Sequence, residues 1–412
     1  MARAKAVAAA PRHLRLVRPV ERSAARAHGA TAAVEGAGAR RTILMLLGAA
    51  SFLTAGGVIM VLSASSVYAC STYGSCFYFF QRQSAYAIVG VGALLVTARM
   101  RYPVWRRLAV PFLVATAALL LLVLHPSAGI EAQGSSRWIA IGPVTIQPSE
   151  VAKLAVVVFA STVLSAKRGR LDDLGELAMP LLPGVAIVGG MVFLQPDLGT
   201  TIVLVGTVAA LLFAAGVRLR YLVIGGAGGS VLALALLRPY QWARITAFLH
   251  PQADPLNTGY QLTQSLIALG SGGWLGVGLG ASRQKWMYVP NAHTDFIFSI
   301  LGEELGLIGE IVVLAAFGLL LFAGLRIAAK STDGFGRLLA TGIVAWFGIQ
   351  IVVNLGAVTG LLPITGVPLP FLSYGGSSLV VSLAAVGILV NIGTAPLRAR
   401  RSRSGARARR AS

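Results

Sequence analysis

The sequence predicts an all-α polytopic membrane protein of about ten transmembrane helices, with a large outer loop between helices 7 and 8. Composition, the spacing of apolar runs and the placement of positive charge predict it. Of 412 residues, 56% are hydrophobic and 12% charged, and the mean hydropathy is +0.76, outside the range of soluble globular domains. Apolar runs approaching the roughly 20 residues that span hydrocarbon fall at 43–62, 80–97, 108–124, 149–165, 179–195, 199–216, 221–238, 297–325, 338–360 and 379–396. An even number of crossings returns both ends to one side.

Short cytosolic loops collect Lys and Arg. With the amino end inside, 28 of the 35 such residues lie before residue 42, in 98–107, 166–178, 217–220 and 326–337, and after Pro396; the opposite orientation would invert that bias. The net charge of +21 is therefore a consequence of topology, and no nucleic-acid partner is expected. Residues 1–42, rich in Ala and Arg without an apolar core, are not a signal peptide. They are expected to form a disordered basic cytosolic tail touching anionic membrane lipid, with a second basic tail at 397–412 and the membrane domain at 43–396. Cys70 and Cys76, the two cysteines, fall in the first outer loop, where a disulfide and two free thiols are both compatible with the spacing.

Ionisable groups in or beside membrane spans are functional candidates because charge is costly in hydrocarbon. Away from the tails and inner loops the carboxylates are Glu131, Glu150, Asp197, Asp254, Asp295, Glu303, Glu304 and Glu310. The outer segment at about 239–296 is too long for a connector, and loops of that length usually carry function; it holds Arg244, Asp254, Arg283, Lys285, Trp286, His293 and Asp295. Glu150 and Lys153, three residues apart on one helix face, are expected to pair, either to fix packing or to line a polar cavity for an anionic substrate. Asp197, after Pro196, is expected to cap the sixth span, and Thr294 or Asp295 to cap the eighth. The stretch 362–378, broken by three prolines and several glycines, cannot face lipid with open amides and is expected to be a re-entrant or cavity-lining loop.

Taken in order, Gln147-Pro-Ser-Glu-Val-Ala-Lys153, Gln195-Pro-Asp-Leu-Gly-Thr200, Gly259-Tyr-Gln-Leu-Thr-Gln264, Asn291-Ala-His-Thr-Asp-Phe296, Gly302-Glu-Glu-Leu-Gly306 and Pro363 through Ser378 resemble the SEDS (shape, elongation, division, sporulation) family of cell-wall polymerases over roughly 43–396. Gly302, Gly259-Tyr-Gln261 and Gln284-Lys285-Trp286 look more like the division-associated FtsW branch than the elongation-associated RodA branch. Asn291 stands where the family often has Glu, so no carboxylate role rests there.

The resemblance implies polymerisation of lipid II into peptidoglycan glycan strands on the outer face of the bacterial cytoplasmic membrane, at the division septum, beside a class B penicillin-binding protein of the FtsI type and other divisome proteins. It implies Asp295 as the essential aspartate. A pyrophosphate leaves without protonation, so one general base suffices, unlike the two carboxylates of glycoside hydrolysis. For the pyrophosphate, Arg137, Lys153, Arg244 and Lys285 are the candidate cations, with a divalent cation (Mg or Mn) as the alternative. Glu150 and Glu303 are further substrate-binding candidates, His293 is expected to orient neighbours, and Glu304 and Glu310 are expected to be structurally paired. A lipid II flippase and a RodA-like elongation polymerase are the rival readings.

Overall fold

The structure, a computed structural model, describes residues 17–125, 129–132, 135–142, 144–167, 174–237, 239–249 and 258–411; residues 1–16 of the amino-terminal tail and Asp254 lie outside them. Every run expected to cross the bilayer is helical. Among the described residues, seven helices are long and apolar enough to span a membrane: α1 (Val17–Tyr73, apolar from Ala37), α3 (Pro103–Leu124), α4 (Pro148–Ala166), α6 (Leu198–Ala215), α10 (Ile297–Lys330), α11 (Gly334–Val358) and α12 (Gly376–Ala411, apolar to Leu397). The other three runs are α2 (Tyr78–Arg99), α5 (Leu174–Leu194) and α7 (Leu219–Ala235). Local chemistry sets these apart: Gln81, Arg82 and Gln83 dilute α2, Pro180 and Pro183 lie inside α5, and α7 is 17 residues long. One expectation changes at the ends. Residues 17–42 continue α1 and 397–411 continue α12 as helix, as their high content of the helix formers Ala and Arg favours.

In lipid, helices associate by close packing more than by a hydrophobic force, so the most buried helix marks the centre. That helix is α4, with 78% of its apolar window buried against 28% for α3 and α10. It packs on α3, α5, α6 and α11. A larger cluster of buried side chains joins α1, α2, α10, α11 and α12. The tightest seam runs between α2 and α12, where a Cβ on Gly387 would overlap Thr97 Oγ1 and the Leu94 carbonyl.

Three outer elements have no counterpart in the apolar runs. A small antiparallel sheet, ordered β1 (Gly129–Ala132), β2 (Ser135–Ile141), β3 (Val144–Ile146), lies between α3 and α4; its β2–β3 register pairs Ile139 with Ile146 and Ile141 with Val144. Two helices, α8 (Pro239–Leu249) and α9 (Thr258–Ser271), occupy the long outer segment.

The eighth span is not continuous. Gly306 (φ 66°, ψ −170°) breaks α10, in a region open essentially to glycine alone. At the break the amides of Leu307 and Ile308 donate to the carbonyls of Gly273 and Trp274, while the carbonyls of Glu303 and Glu304 accept from Val277 and Gly278. The outer loop thus replaces the missing helical bonds, meeting the requirement that backbone groups at membrane depth be satisfied. Gly272 and Gly276 lack the Cβ atoms that would strike the carbonyls of Gly302 and Glu304.

Candidate active site

Asp295 lies in the turn that leads into α10. The turn starts at Asn291, whose φ of 57° is one that Asn tolerates; its carbonyl accepts from both the amide (2.9 Å) and the hydroxyl (3.0 Å) of Thr294. The helix cap is Phe296, with no side-chain cap bond. Neither Thr294 nor Asp295 caps the span, and Asp295 lies one residue before the cap, outside the helix.

What holds Asp295 is α11. Asn354 Nδ2 donates to the Asp295 carbonyl (2.9 Å) and to the Val367 carbonyl (2.7 Å). One turn earlier, Gln350 Nε2 donates to the Pro368 carbonyl (2.7 Å). This pair of amides, four residues apart on one helix face, anchors both the aspartate turn and the irregular stretch before α12. Gln83 ties down the far end of that stretch, donating to the Ser373 carbonyl (3.1 Å) and accepting from the Gly375 amide (3.3 Å). The stretch 359–375 is non-helical, and buried Val367, Leu369, Phe371 and Leu372 surround backbone that side chains of other helices satisfy.

The aspartate's carboxyl meets charge from three other elements. A Cβ built on Gly366 (φ 73°) would lie 3.4 Å from Asp295 Oδ2 and 3.8 Å from Arg244 Nη1, which brackets a confined space between carboxylate and guanidinium. Arg244, on α8, donates to the Ile364 carbonyl (3.2 Å). Arg137, on β2, donates to the carbonyls of Gln195 (3.1 Å) and Pro196 (2.6 Å). Asp197 caps α6 as expected, accepting from the Thr200 amide (3.1 Å), and Ser149 Oγ lies 3.3 Å from its Oδ2. Burial pushes the Asp295 carboxyl above the usual carboxylate range, with Asp197 adding to the rise while Thr294, Arg244 and Arg137 oppose it. A carboxylate raised by desolvation is a stronger base than a free one, and here it has anion-binding groups beside it.

Glu150 and Lys153 pair at 2.9 Å with side chains 1% exposed. Lys153 also reaches Gln350 Oε1 (2.8 Å), which accepts from Trp346 Nε1 (2.7 Å). This closed network joins α4 to α11 and so supports the same anchor. Lys285 and Glu303 are not among the groups that shift the Asp295 carboxyl. Lys285 Nζ donates to the Gly280 carbonyl and lies 3.7 Å from Glu304, and Glu304 accepts from Ser63 on α1 (2.6 Å). Glu303 accepts from the Ser282 hydroxyl and from the amides of Arg283 (2.9 Å) and Gln284 (3.3 Å). Both glutamates fasten the 280–285 loop. Pairing fails for Glu310, whose carboxyl rests over Gly302 beside Trp274, Phe298 and Leu307 with no hydrogen bond or ion pair among the described residues.

His293 packs among Phe79, Tyr374 and Tyr68, with ring centroids 4.4, 5.5 and 5.9 Å away. Burial lowers its pKa to about 4, so the ring is neutral at neutral pH and orients the turn by packing. It lines a cavity of about 380 Å³ with Tyr68, Tyr73, Lys285 and Asn291. Cys70 and Cys76 are disulfide-bonded at the outer ends of α1 and α2. Among the described residues no three His, Cys, Asp or Glu side chains gather as a metal cage. Around Asp295 the donors are two guanidiniums and one carboxylate already capping a helix, a set that fits an anion rather than a protein-held cation.

The arrangement matches known proteins over most of the chain. The family model described as "Cell cycle protein", covering FtsW, RodA and SpoVE, matches residues 43–396. The chain is 46% identical over 357 residues to a probable peptidoglycan glycosyltransferase FtsW of Geobacter metallireducens, covering 85% of this chain and 94% of that one. It is 44% identical over 338 residues to stage V sporulation protein E of Bacillus subtilis, covering 82% and 92%. A chain from a solved peptidoglycan synthase complex superposes with a TM-score of 0.71 at 30% identity, covering 84% of this chain and 96% of that one. Thermus thermophilus rod shape determining protein RodA superposes with a TM-score of 0.64 at 28% identity, covering 85% and 96%. With the family model matched across residues 43–396 and relatives 44–46% identical over most of their own length, the chain belongs to the FtsW, RodA and SpoVE family.

Proposed function

We propose that this chain is a peptidoglycan glycosyltransferase that polymerises lipid II at the outer face of the bacterial cytoplasmic membrane, with Asp295 as general base. The observation that carries the reading is the half-buried Asp295 carboxyl, set across Gly366 from Arg244 and acted on by the charge of Arg137. The GlcNAc 4-hydroxyl attacks the MurNAc anomeric carbon, forming the new C–O bond as the bond to pyrophosphate breaks. Asp295 takes the hydroxyl proton, and the electron pair leaves on undecaprenyl pyrophosphate. Arg244 and Arg137 offset the charge that collects there. Mg or Mn carried on the pyrophosphate oxygens is the alternative source of counter-charge.

Both termini are cytosolic in this reading. Supporting it, Tyr102 donates to Asp333 (2.5 Å) and its amide to Asn391 (2.9 Å), gathering on one side the helix ends that carry Arg99, Arg101, Arg106, Arg107, Arg326, Lys330 and Arg337. The FtsW name carried by several relatives favours the FtsW branch over RodA-like elongation, the second reading; with that branch goes the proposed division role at the septum beside an FtsI-like class B penicillin-binding protein. A flippase needs an ionisable path through the inner half, whereas Glu150 and Lys153 pair with each other at 2.9 Å in the first turns of α4.

The test is gel analysis of glycan from labelled lipid II, using purified protein with its class B partner and the transpeptidase inhibited. Wild type makes polymer and folded, partner-bound Asp295→Asn makes none. Polymer from both removes Asp295 as base, and polymer from neither transfers the weight to lipid transport.

A further inference from the structure

The inner end of the molecule holds a second charged cavity, unrelated to Asp295. It has a volume of about 290 Å³ and lies between α1, α10 and α12, lined by Ala39, Thr42, Arg326, Lys330, Thr332 and Pro396, among others. Gly393 helps to open it: having no side chain, it leaves α12 close to Ile327 and Ile43, each 3.3 Å from where its Cβ would stand. Arg326 and Lys330 are exposed and one turn apart on α10, so both cations face the same space. Neither has a carboxylate partner among the described residues. Asp333, the nearest in sequence, is occupied by the Tyr102 hydroxyl (2.5 Å) and the Gly336 amide (3.1 Å). Along the same face toward the bilayer centre, Phe322 (54% exposed) and Leu319 (38%) point outward, and the Arg326 guanidinium lies 6.0 Å from the Phe322 ring centroid.

A cationic pocket continuous with an apolar, lipid-facing stripe has the polarity of a phospholipid, with an anionic head above acyl chains. We propose that this cavity is a headgroup site for an anionic phospholipid, whose phosphate bridges Arg326 and Lys330 and whose chain lies along Phe322 and Leu319. Assigning it to the cytoplasmic leaflet rests on the orientation proposed above; the recognition chemistry does not. Interfacial Lys and Arg also snorkel without binding any one lipid, so the test separates a site from a charged surface.

Native mass spectrometry of the full chain in detergent, titrated with phosphatidylglycerol, phosphatidylcholine or inorganic phosphate, reads occupancy directly. Arg326→Gln with Lys330→Gln weakens phosphatidylglycerol binding by about tenfold or more. Arg106→Gln with Arg107→Gln removes the same charge elsewhere on the inner face and leaves binding unchanged. Thr332→Trp keeps every charge, fills the cavity and also lowers occupancy. Equal losses in the two charge pairs, unaltered binding in Thr332→Trp, phosphatidylcholine binding as well as phosphatidylglycerol, or displacement by phosphate at lipid concentrations each overturns the proposal.

Discussion

Asn354→Ala tests whether α11 positions the aspartate. The substitution removes one donor that serves two buried carbonyls, those of Asp295 at 2.9 Å and Val367 at 2.7 Å. At about 0.5–1.5 kcal/mol net per bond, the loss of stability is about 1–3 kcal/mol. The effect on rate is larger than that number suggests, because a catalytic group displaced by about 1 Å loses about a hundredfold in rate, and the turn has no other side-chain anchor from α11. Polymer formation per folded molecule therefore falls by about tenfold to a hundredfold, while lipid II dependence changes little, since Arg244 and Arg137 keep their own bonds. Leu211→Ala, in the fully buried packing of α6 beside Val157 of α4 and Gly342 of α11, supplies a comparison of about 2–5 kcal/mol that leaves the Asn354 bonds in place. Melting in detergent and initial rates, measured on both variants, separate the two effects. If Asn354→Ala melts lower yet turns over as fast per folded molecule as Leu211→Ala, the positioning argument is wrong.

Because burial raises the Asp295 pKa above its unfolded value, the folded state holds that proton more tightly and stability falls as pH rises from the unfolded pKa through the folded one. Asp295→Asn removes this cost, so at neutral pH it melts at or above the wild-type temperature while losing activity; a lower melting temperature there contradicts the assignment. For wild type, polymerisation rises with pH through the raised pKa and then levels. Lys153→Met leaves Glu150 buried and unpaired, costing about 3–5 kcal/mol, and Lys153→Met with Glu150→Gln recovers much of it, as read by folded yield and melting. Gly306→Ala forces a side chain into a glycine-only conformation at about 1–3 kcal/mol and into the backbone of Trp274–Gly276, so folded yield drops; Gly318→Ala, in the same helix with open space around it, is neutral or slightly stabilising.

The fold was legible because lipid imposes length and polarity on every crossing, and those constraints are written residue by residue. Glu150 with Lys153, and Asp197 as a cap, were legible for a similar reason: their partners lie three residues away. Asn354 and Gln350 were not, since their acceptors are main-chain carbonyls 13 and 18 residues on and, for Asn354, the Asp295 carbonyl 59 residues back. Two amides at four-residue spacing in an apolar span were the available signal. The β2–β3 hairpin was hidden differently, since Ser-Arg-Trp-Ile-Ala-Ile followed by Val-Thr-Ile alternates only weakly. Lys285 and Glu303 drew attention as charges near the right loop, but charge in sequence does not tell whether a group faces substrate or ties a loop to a helix.

The crossed peptide bonds at Gly306 also set a height. Trp274 (72% exposed) and Leu275 (78%) project from the segment whose carbonyls and amides stand in for a turn of α10. A tryptophan there favours the boundary between headgroups and acyl chains, and its level along the helix axis is pinned to Gly306. The aspartate turn leads into that same helix. How deep the protein sits in the bilayer and how far Asp295 lies from the headgroups are therefore one dimension, measured along the first turns of α10.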